Sequence, residues 1–439
     1  MQRYEYIPNG FGVGLTIPIP KGDTQKLKCN TDDYRGITIS PVISKLFEHC
    51  ILIQNENFLN SADYQFGFKK KTGVNHAIYS VRKTVEYFIE RDSTVNLCAL
   101  DLSKAFDKMN RFALFIKLMK RNCPILLINV LDCWYAKSVT CVKWGSTLSR
   151  YVDLTAGVRQ GGVVSPVLFA VFINDVLVQL QDSNLGCYIK NIAFNCFMYA
   201  DDLLLLSISV CDMQRMINIC KAELDWLDMT INISKTFCLR IGNRYKCKVA
   251  NIIIDNNVIC WSEEIRYLGV YIMSNKVFKC NLHQAKIKYF RSLNGILGKI
   301  GTSTALNVSL SLVSSFSTPV LLYGFDSGCL SKSQIDKLNY PFNSIYCKLF
   351  STFDKNVITQ CQYFTGQLPL KYVLDLRFII FLLSLQHVKN SPPYMLANWF
   401  EDVERHYFAN EYDITVNDRS TACRNKMWNV FKRQIAVLY

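Results

Sequence analysis

The chain has 439 residues and carries 50 lysines and arginines against 35 aspartates and glutamates, a formal net charge of +15 at pH 7. Half of the residues are apolar and 19% are charged, which provides material for a buried core and excludes a mostly disordered chain. The 20 glycines and 11 prolines are too few for a collagen-like protein. The length predicts two or three domains, and the positive charge indicates an anionic partner.

The cysteines and the N-terminus indicate an intracellular protein. Eighteen cysteines are scattered from Cys29 to Cys423 without a Cys-x-x-Cys pair, and a chain of this length needs no disulfides for its stability. We therefore expect reduced thiols that behave as small buried apolar groups. The residues after Met1 lack the apolar segment of a signal peptide. The uncharged stretch 301–325 is interrupted by serines and Pro319, so we expect no membrane partner; nucleus and cytoplasm are not distinguished.

The predicted elements mix helices and strands. Residues 1–30 are rich in glycine and proline and predict an extended lead-in. The elements that follow are a helix from Ser40-Pro41, a helix over 74–90, a strand over Val95–Leu100, two helices within 111–135, a hairpin over 138–154, a buried helix from Ser165, a hairpin over 194–208, a helix over 212–227, short strands to 272 and mainly helices after 276. In the first helix, the apolar stripe that should face the core consists of Val42, Ile43, Leu46, Phe47, Cys50 and Ile51. This order predicts an α+β core with an appended helical region.

Three aspartates stand beside apolar strands. Asp101 follows the strand Val95–Leu100, and Asp201 and Asp202 lie between two apolar runs that should form a hairpin. An ionised carboxylate in such surroundings is costly unless it is paired or binds a metal. If the two strands are neighbours in one sheet, three carboxylates converge, which suits two Mg²⁺ ions about 4 Å apart and in-line phosphoryl transfer. An acidic turn that only faces water would carry the same residues.

Several motifs follow one another in a fixed order. The longest are Leu100-Asp101-Leu102-Ser103-Lys104-Ala105-Phe106-Asp107, the segment 157–166 and Tyr199-Ala200-Asp201-Asp202. Shorter ones are Tyr34-Arg35-Gly36-Ile37 leading to 44–48, Gln65-Phe66-Gly67-Phe68, Ile233-Ser234-Lys235-Thr236, Tyr267-Leu268-Gly269 and 319–324. Together they resemble the reverse transcriptase domain of non-LTR (LINE-type) retrotransposons over roughly residues 15–325.

The resemblance implies roles for the acidic and aromatic residues. Asp101, Asp201 and Asp202 match the catalytic, metal-binding triad, and the backbone carbonyl of Leu102 would also meet a metal. Phe106 occupies the steric-gate position, where a bulky ring excludes a ribose 2′-OH and favours deoxynucleotides. An ordinary core phenylalanine is the alternative interpretation of Phe106.

The resemblance also implies nucleotide-binding and proton-transfer residues. Gln160 and Gly161 match the loop that holds the nucleotide and lets the template base approach, and glycine permits close backbone contact there. Lys69 and Arg35 would reach the triphosphate; many relatives have arginine where this chain has Lys69, so a point charge replaces a two-pronged contact. A solvated basic loop is the alternative for Lys69. Lys235 matches a lysine that protonates the leaving pyrophosphate, with a plain surface lysine as the alternative.

The fold implied by the resemblance is a right-hand polymerase. Fingers and a palm with an antiparallel sheet would occupy 31–275, a helical thumb 276–330 and a C-terminal helical region without an assigned role 331–439. The implied partners are an RNA template, a DNA primer and deoxynucleoside triphosphates, with two Mg²⁺ ions, or Mn²⁺ in their place, as cofactors. Twelve basic residues against three acidic ones between Lys235 and Lys299 would grip the template–primer backbone.

Three other functions use related residues. An RNA polymerase of the same shape is disfavoured by Phe106, and a two-metal nuclease would cleave its substrate without added nucleotides. A catalytically dead retroelement relic that binds nucleic acid is disfavoured by the intact aspartates, although a recently inactivated copy would also keep them. Full-length relatives usually carry an endonuclease domain before the polymerase and often a Cys/His knuckle after it. Neither fits this sequence, which leads us to expect a truncated copy, a gene fragment or an isolated polymerase segment.

Overall fold

A computed structural model of the chain describes residues 6–21, 30–103, 105–301, 305–399, 401–415 and 417–436. The strands are β1 (Val13–Pro20), β2 (Tyr34–Ile39), β3 (Val95–Leu100), β4 (Val139–Trp144), β5 (Thr147–Leu148), β6 (Val152–Asp153), β7 (Tyr188–Ile189), β8 (Ile192–Ala193), β9 (Cys196–Tyr199), β10 (Asp202–Ser207), β11 (Phe237–Ile241), β12 (Ile252–Ile254), β13 (Asn257–Ile259), β14 (Glu264–Tyr267), β15 (Val270–Met273) and β16 (Cys280–Asn281). The α-helices are α1 (Val42–Gln54), α2 (Val74–Ile89), α3 (Ala105–Lys108), α4 (Arg111–Lys120), α5 (Ile125–Ala136), α6 (Ser165–Asp182), α7 (Val210–Trp226), α8 (His283–Ile300), α9 (Leu306–Leu312), α10 (Thr318–Leu321), α11 (Lys332–Phe350), α12 (Lys355–Phe364), α13 (Leu370–Ser384), α14 (Pro392–Trp399), α15 (Glu401–Tyr412) and α16 (Ser420–Ala436). The predicted mixture of helices and strands, with a helical C-terminal part, is confirmed.

A four-stranded antiparallel sheet lies at the centre of the molecule, with the strand order β11-β3-β10-β9. Leu203 and Leu205 of β10 belong to one apolar core, which they share with α4, α6 and α7. Leu204 and Leu206 belong to a second core on the other face, which they share with α2. Because successive side chains of a strand point to opposite faces, this run of four leucines is buried on both sides.

A second sheet joins the N-terminal strands to the hairpin in the middle of the chain. Its order is β2-β1-β4-β5, with β6 on β4, and β1 runs parallel to β4. The predicted lead-in 1–30 lies partly outside the described residues; its described part contains a 3-10 turn at Asn9–Gly12 followed by extended chain. However, Val13–Pro20 pairs with a strand on each side, so this segment is a structural strand of the sheet.

Helix α1 begins where the sequence predicted, but the prediction of its buried face was wrong. Val42, Ile43 and Leu46 are 75%, 65% and 61% exposed, and Cys50 is exposed as well. The helix turns Glu48 inward instead, and the Glu48 carboxylate accepts hydrogen bonds from the backbone N–H groups that precede α6. These charge-assisted bonds at a helix N-terminus outweigh the burial of a few apolar side chains on α1. Ile51 is buried and Phe47 packs against the core, as predicted.

The C-terminal helices pack on the face of α2 that is turned away from the central sheet. Phe381 and Leu385 from α13 and its extension, with Leu396 of α14, share a core with α2 and the sheet. Glu404 of α15 forms ion pairs with Arg82 and Lys83 of α2, at 2.9 and 2.6 Å. No helix in the described part of the chain combines the length and the apolar character needed to cross a bilayer.

Candidate active site

The hairpin of β9 and β10 carries two of the three predicted acids at its turn. Asp202 pairs with Tyr199, and the two residues between them, Ala200 and Asp201, form the turn. Ala200 has a φ of +58°, in the left-handed region that residues with a Cβ atom rarely adopt. Strong apolar burial of both strands forces the chain to reverse within this short acidic segment.

The third acid reaches the hairpin through strand pairing. Leu100 of β3 pairs with Leu203 of β10 in antiparallel register. Asp101 follows Leu100 and Asp202 precedes Leu203, so the two aspartates come together at one end of the sheet. Asp101 and Asp201 line the same cleft. The expected meeting of the three acids at one edge is therefore what the structure shows.

The electrostatics of this edge are unfavourable for negative charge. Burial raises the pKa of Asp201, and the charge of Asp101 raises it further, while Arg35 lowers it. Asp202 keeps part of its surface open to solvent, yet burial by the surrounding protein, followed by Asp201 and Asp101, raises its pKa to about 6. Arg266 and Arg35 oppose this shift. A cation placed between these carboxylates would favour their ionised form.

A cleft of about 730 Å³ opens in front of the acids. It is lined by Lys21, Tyr34, Arg35, Asp101, Leu102, Ser103, Ala105, Phe106, Asp107, Lys108, Gln160, Asp201, Thr230, Asn232 and Lys235. Seven of the ten residues singled out from the sequence thus share one cavity. The other three, Asp202, Gly161 and Lys69, are not part of its lining.

Lys235 stands beside Asp101 because the backbone on either side of them is paired. The Asn232 N–H donates to the Asp101 carbonyl at 2.8 Å, and the Ser103 N–H donates to the Thr230 carbonyl at 3.0 Å. The Lys235 Nζ lies 3.9 Å from Asp101 Oδ2 on a largely exposed side chain. The two backbone bonds flank Leu102, so this pairing does not use the Leu102 carbonyl.

Phe106 lies between the core and the cleft. Its ring stacks on Phe169 of α6 with 4.6 Å between centroids, and Phe68 contacts it edge-on at 5.9 Å. The same half-buried ring lines the cleft. Phe106 is therefore a wall of the cleft that the core holds in a fixed orientation.

The Gln160-Gly161 loop is fastened to strand β2. The Thr38 N–H donates to the Gln160 carbonyl at 2.7 Å, and the Gln160 side chain donates to Asp107 Oδ1 at 2.9 Å. Gly161 has a φ of +121°, and a Cβ atom there would lie 2.4 Å from the Thr38 carbonyl oxygen. A side chain at position 161 would therefore clash with β2, the strand that carries Arg35, and the role of Gly161 toward the nucleotide stays a prediction.

Lys69 lies in a different environment from the one the sequence predicted. Its Nζ donates to the Ala62 carbonyl at 2.7 Å and lies 3.6 Å from an Asp63 carboxylate oxygen. Burial lowers the pKa of Lys69, and Asp63 opposes that shift. A contact between Lys69 and a triphosphate would require the Lys69 ammonium to leave both partners.

Two residues at the site were given no role by sequence reasoning. Glu48 holds the N-terminal end of α6, next to the Gln160-Gly161 loop, through its bonds to Val163 and Val164. Gln65 bonds to the backbone of the acidic turn. Both residues lie within the short sequence motifs. A polar side chain next to aromatic residues was the sequence feature that could have indicated a role for each of them.

The donor set suits a hard divalent cation. Within the described residues, no three His, Cys, Asp or Glu side chains are already grouped in a way that could hold an ion. Mg²⁺ is usually bound by one or two carboxylates together with water and substrate phosphates rather than by a complete protein cage. Crowded aspartates with raised pKa values beside an open cleft fit an ion site that the substrate completes.

Comparison with protein families gives a match over more than half of the chain. The family described as "Reverse transcriptase (RNA-dependent DNA polymerase)" matches residues 19–272. This range includes all the predicted site residues and the whole central sheet, and it begins near the end of β1. The match confirms the predicted right-hand polymerase fold and the resemblance to enzymes of non-LTR retrotransposons.

The curated relatives of this chain are named as products of mobile elements. The RNA-directed DNA polymerase from the mobile element jockey of Drosophila funebris is 25% identical over 63% of this chain and 30% of its own length. The Pol polyprotein of the type-2 retrotransposable element R2DM of Drosophila melanogaster is 23% identical over 63% and 26%. The chain thus spans less than a third of the length of these relatives.

Solved structures were compared as well. Apo telomerase of Candida tropicalis has a TM-score of 0.44 at 13% identity, covering 63% of this chain and 56% of that one. Telomerase of Candida albicans has a TM-score of 0.43 at 12% identity, covering 89% and 66%.

Proposed function

Because the chain belongs to the reverse transcriptase (RNA-dependent DNA polymerase) family, we propose that it is an RNA-directed DNA polymerase of a LINE-type element. It adds deoxynucleotides to the 3′-OH of a DNA primer paired with an RNA template. One observation carries the proposal: the pairing of Leu100 with Leu203 sets Asp101 beside the Asp201-Asp202 turn at the mouth of a cleft.

The acidic edge of the cleft is where metal ions would bind. Asp101, Asp201, Asp202 and the Leu102 carbonyl would hold two Mg²⁺ ions, or Mn²⁺ in their place. When bound, such ions activate the primer hydroxyl and neutralise the charge that develops on the phosphates. The chain contributes by holding these oxygens in place on paired strands, so that little reorganisation is needed during the reaction.

The other cleft residues act on the incoming nucleotide. Phe106 excludes a ribose 2′-OH by its bulk, and Gln160 and Gly161 form the surface against which the nucleotide and template base lie. Arg35 attracts the triphosphate. Lys235, beside Asp101, donates a proton to the leaving pyrophosphate. Lys69 reaches the triphosphate only after it leaves Ala62 and Asp63.

The division of the chain follows from this function. Residues 31–275 form fingers and palm, 276–330 the thumb, and 331–439 a C-terminal helical region. The basic residues of 235–299 grip the sugar–phosphate backbone, so the affinity for template–primer falls as salt rises. Arg240 departs from this role, because its side chain is buried and bonded to Asn96 and Cys247.

Primer extension on an RNA template tests the proposed function. We expect the full chain to extend a DNA primer with deoxynucleotides in Mg²⁺. Asp201→Asn should lower the rate of extension by at least about 10³-fold, because it removes a carboxylate that would hold the metal ions. Asp153→Asn removes an exposed carboxylate outside the cleft and should leave extension unchanged.

The outcome separates the alternatives. A folded protein that binds template–primer without any Mg²⁺-dependent extension would contradict the proposal and leave the nucleic-acid-binding relic. Cleavage of the substrate without added nucleotides would identify a nuclease. Equal use of ribonucleotides and deoxynucleotides would identify an RNA polymerase.

A further inference from the structure

Gln65 is a buried glutamine whose side-chain amide bonds at both ends to the turn that carries the acids. Its Oε1 accepts from the Ala200 N–H at 3.0 Å and from the Gly67 N–H at 2.9 Å. Its Nε2 donates to the Ala200 carbonyl at 3.1 Å. The side chain is 0% exposed. One amide thus satisfies both backbone polar groups of the residue that precedes Asp201.

The backbone around Gln65 fixes this contact. The Phe66 N–H donates to the Met198 carbonyl at 2.8 Å, and the Met198 N–H donates to the Tyr64 carbonyl at 2.9 Å. Gln65 therefore runs parallel to strand β9 and extends the central sheet at its edge. A Cβ atom on Gly67 would lie 2.4 Å from the Ala200 backbone nitrogen, so this segment and the turn are in close contact.

The turn needs such support for two physical reasons. Ala200 adopts a positive φ, a conformation that costs a residue with a Cβ atom energy unless the surroundings impose it. The negative charges of Asp101 and Asp201, which line the same cleft, also repel each other and favour a turn that opens. The amide of Gln65 opposes both tendencies through bonds that are protected from water.

We propose that Gln65 is a positioning residue that holds the Ala200-Asp201 peptide in the orientation that lets the aspartates share divalent cations. This inference rests on the proposed function, because it assigns the acids a metal-binding role. Gln65 touches neither the cleft nor the reacting groups, and it acts through the backbone of the turn.

The test compares two buried glutamines in the full chain. Gln65→Met keeps the length of the side chain and removes all three bonds. Gln334→Met is the matched control, because Gln334 is 3% exposed and bonds to Cys280 and Ser331 at the start of α11, away from the cleft. If Gln65→Met does not fold, Gln65→Asn replaces it, since a side chain shorter by one methylene keeps the amide but does not reach both groups of Ala200.

Three readouts are expected to move together in Gln65→Met. The Mg²⁺ concentration that gives half-maximal thermal stabilisation rises by about 10-fold to 100-fold, the range typical for residues that orient metal ligands. The kcat for primer extension at fixed Mg²⁺ falls by a similar factor, while the KM for deoxynucleotide stays within about twofold. Hydrogen exchange of the Ala200 amide accelerates by about tenfold, because its acceptor is gone.

The results separate this inference from the proposed function. If Mg²⁺ binding and Ala200 exchange in Gln65→Met equal those of Gln334→Met, Gln65 has only a structural role and the inference is wrong. If the wild-type chain extends no primer yet binds Mg²⁺, the proposed function fails, and the Mg²⁺ titration and the exchange rate still decide the role of Gln65. A wild-type chain that neither extends primers nor binds Mg²⁺ overturns both.

Discussion

Leu100 and Leu203 face each other across two antiparallel strands, and their pairing decides where the acids lie. Both leucines are almost completely buried, at 2% and 1% exposure. A shift of the strands by one residue would exchange the side chains of the two cores, so the close packing on each face helps to fix the register. The site therefore takes its geometry from the core of the sheet, and the acids themselves contribute little to holding the strands together. Changes to the acids should accordingly alter chemistry with little effect on folding.

The role of Phe106 as a gate leads to a prediction about sugar selectivity. Phe106→Ala should reduce the preference for deoxynucleotides over ribonucleotides by roughly 10-fold to 200-fold, the discrimination expected from a few apolar groups in a pocket. The measurement is the ratio of kcat/KM for the two nucleotides on one template–primer, which cancels any loss of folded protein. Phe112→Ala, which truncates a 78% exposed ring, is the control. An unchanged ratio would refute the gate.

The crowded carboxylates predict how stability responds to Mg²⁺. Saturating Mg²⁺ should raise the thermal midpoint of the wild-type protein. At a Mg²⁺ concentration of a hundred times the dissociation constant, the free energy of unfolding should rise by about 2.7 kcal/mol. Asp202→Asn should be at least as stable as wild type in EDTA, because it removes a charge that burial and its two neighbouring aspartates disfavour. It should also lose most of the response to Mg²⁺. A full response in this variant, equal to that of Asp153→Asn, would contradict the assignment of Asp202.

His76 predicts a loss of stability in mild acid. This 7% exposed residue accepts a hydrogen bond from the Gly73 N–H at the start of α2. Burial lowers the pKa of His76 from 6.5 to about 4. Between these values the unfolded chain binds a proton that the folded chain does not, so the free energy of unfolding falls as pH drops from about 6.5 to 4, by up to about 3 kcal/mol.

Denaturant unfolding across this pH window measures the effect of His76. His76→Gln keeps an acceptor near Gly73 and does not titrate, so its stability should vary less between pH 6.5 and 4 than that of wild type. His283→Gln alters an exposed histidine and should leave the wild-type slope unchanged. Equal slopes for wild type and His76→Gln would show that His76 is not the group responsible.

The ion pairs of Glu404 predict that the C-terminal helices and α2 unfold together. Burial alone would raise the pKa of Glu404, but Arg82 and Lys83 lower it, so the carboxylate is charged at neutral pH. Glu404→Gln should cost roughly 3 kcal/mol, because it removes the nearer carboxylate partner of two buried cations and, among the described residues, leaves only Glu86, at 3.8 Å from Arg82 and 3.7 Å from Lys83. Glu411→Gln, which removes the partner of a half-exposed lysine, should cost no more than about 1 kcal/mol.

Chemical denaturation with probes on both regions checks the role of Glu404. A single transition that moves to lower denaturant in Glu404→Gln is expected. Separate transitions for the C-terminal helices and the central sheet, or equal effects of the two substitutions, would show that the region beyond residue 331 folds independently.

Much of the site could be predicted because its signals are local. Four successive leucines after two aspartates leave few arrangements other than a buried hairpin with an acidic turn, and the strand before Asp101 is equally apolar. The meeting of these elements is non-local, yet strand pairing of two buried runs makes it a reasonable expectation. Phe106 and Gln160 followed from the motif order and do line the cleft.

The features that the sequence did not reveal are polar contacts that hydrophobic periodicity does not encode. The apolar stripe of α1 was assigned to the core because periodicity does not reveal that Glu48 caps α6. A lysine in a loop likewise carries no sign of the bond that Lys69 donates to Ala62, and its contact with a triphosphate stays a prediction. The docking of Glu404 on α2 depends on residues more than three hundred positions apart, which no local pattern encodes.

The alternation along β10 has a consequence for how this sequence can change. Leu203 and Leu205 fill one core while Leu204 and Leu206 fill the other. Gain or loss of a single codon within this strand, even with the reading frame kept, would exchange the two sets and move Asp202 relative to Asp101. Substitution of one apolar side chain by another is thus tolerated in this strand, but a change in its number of residues is not.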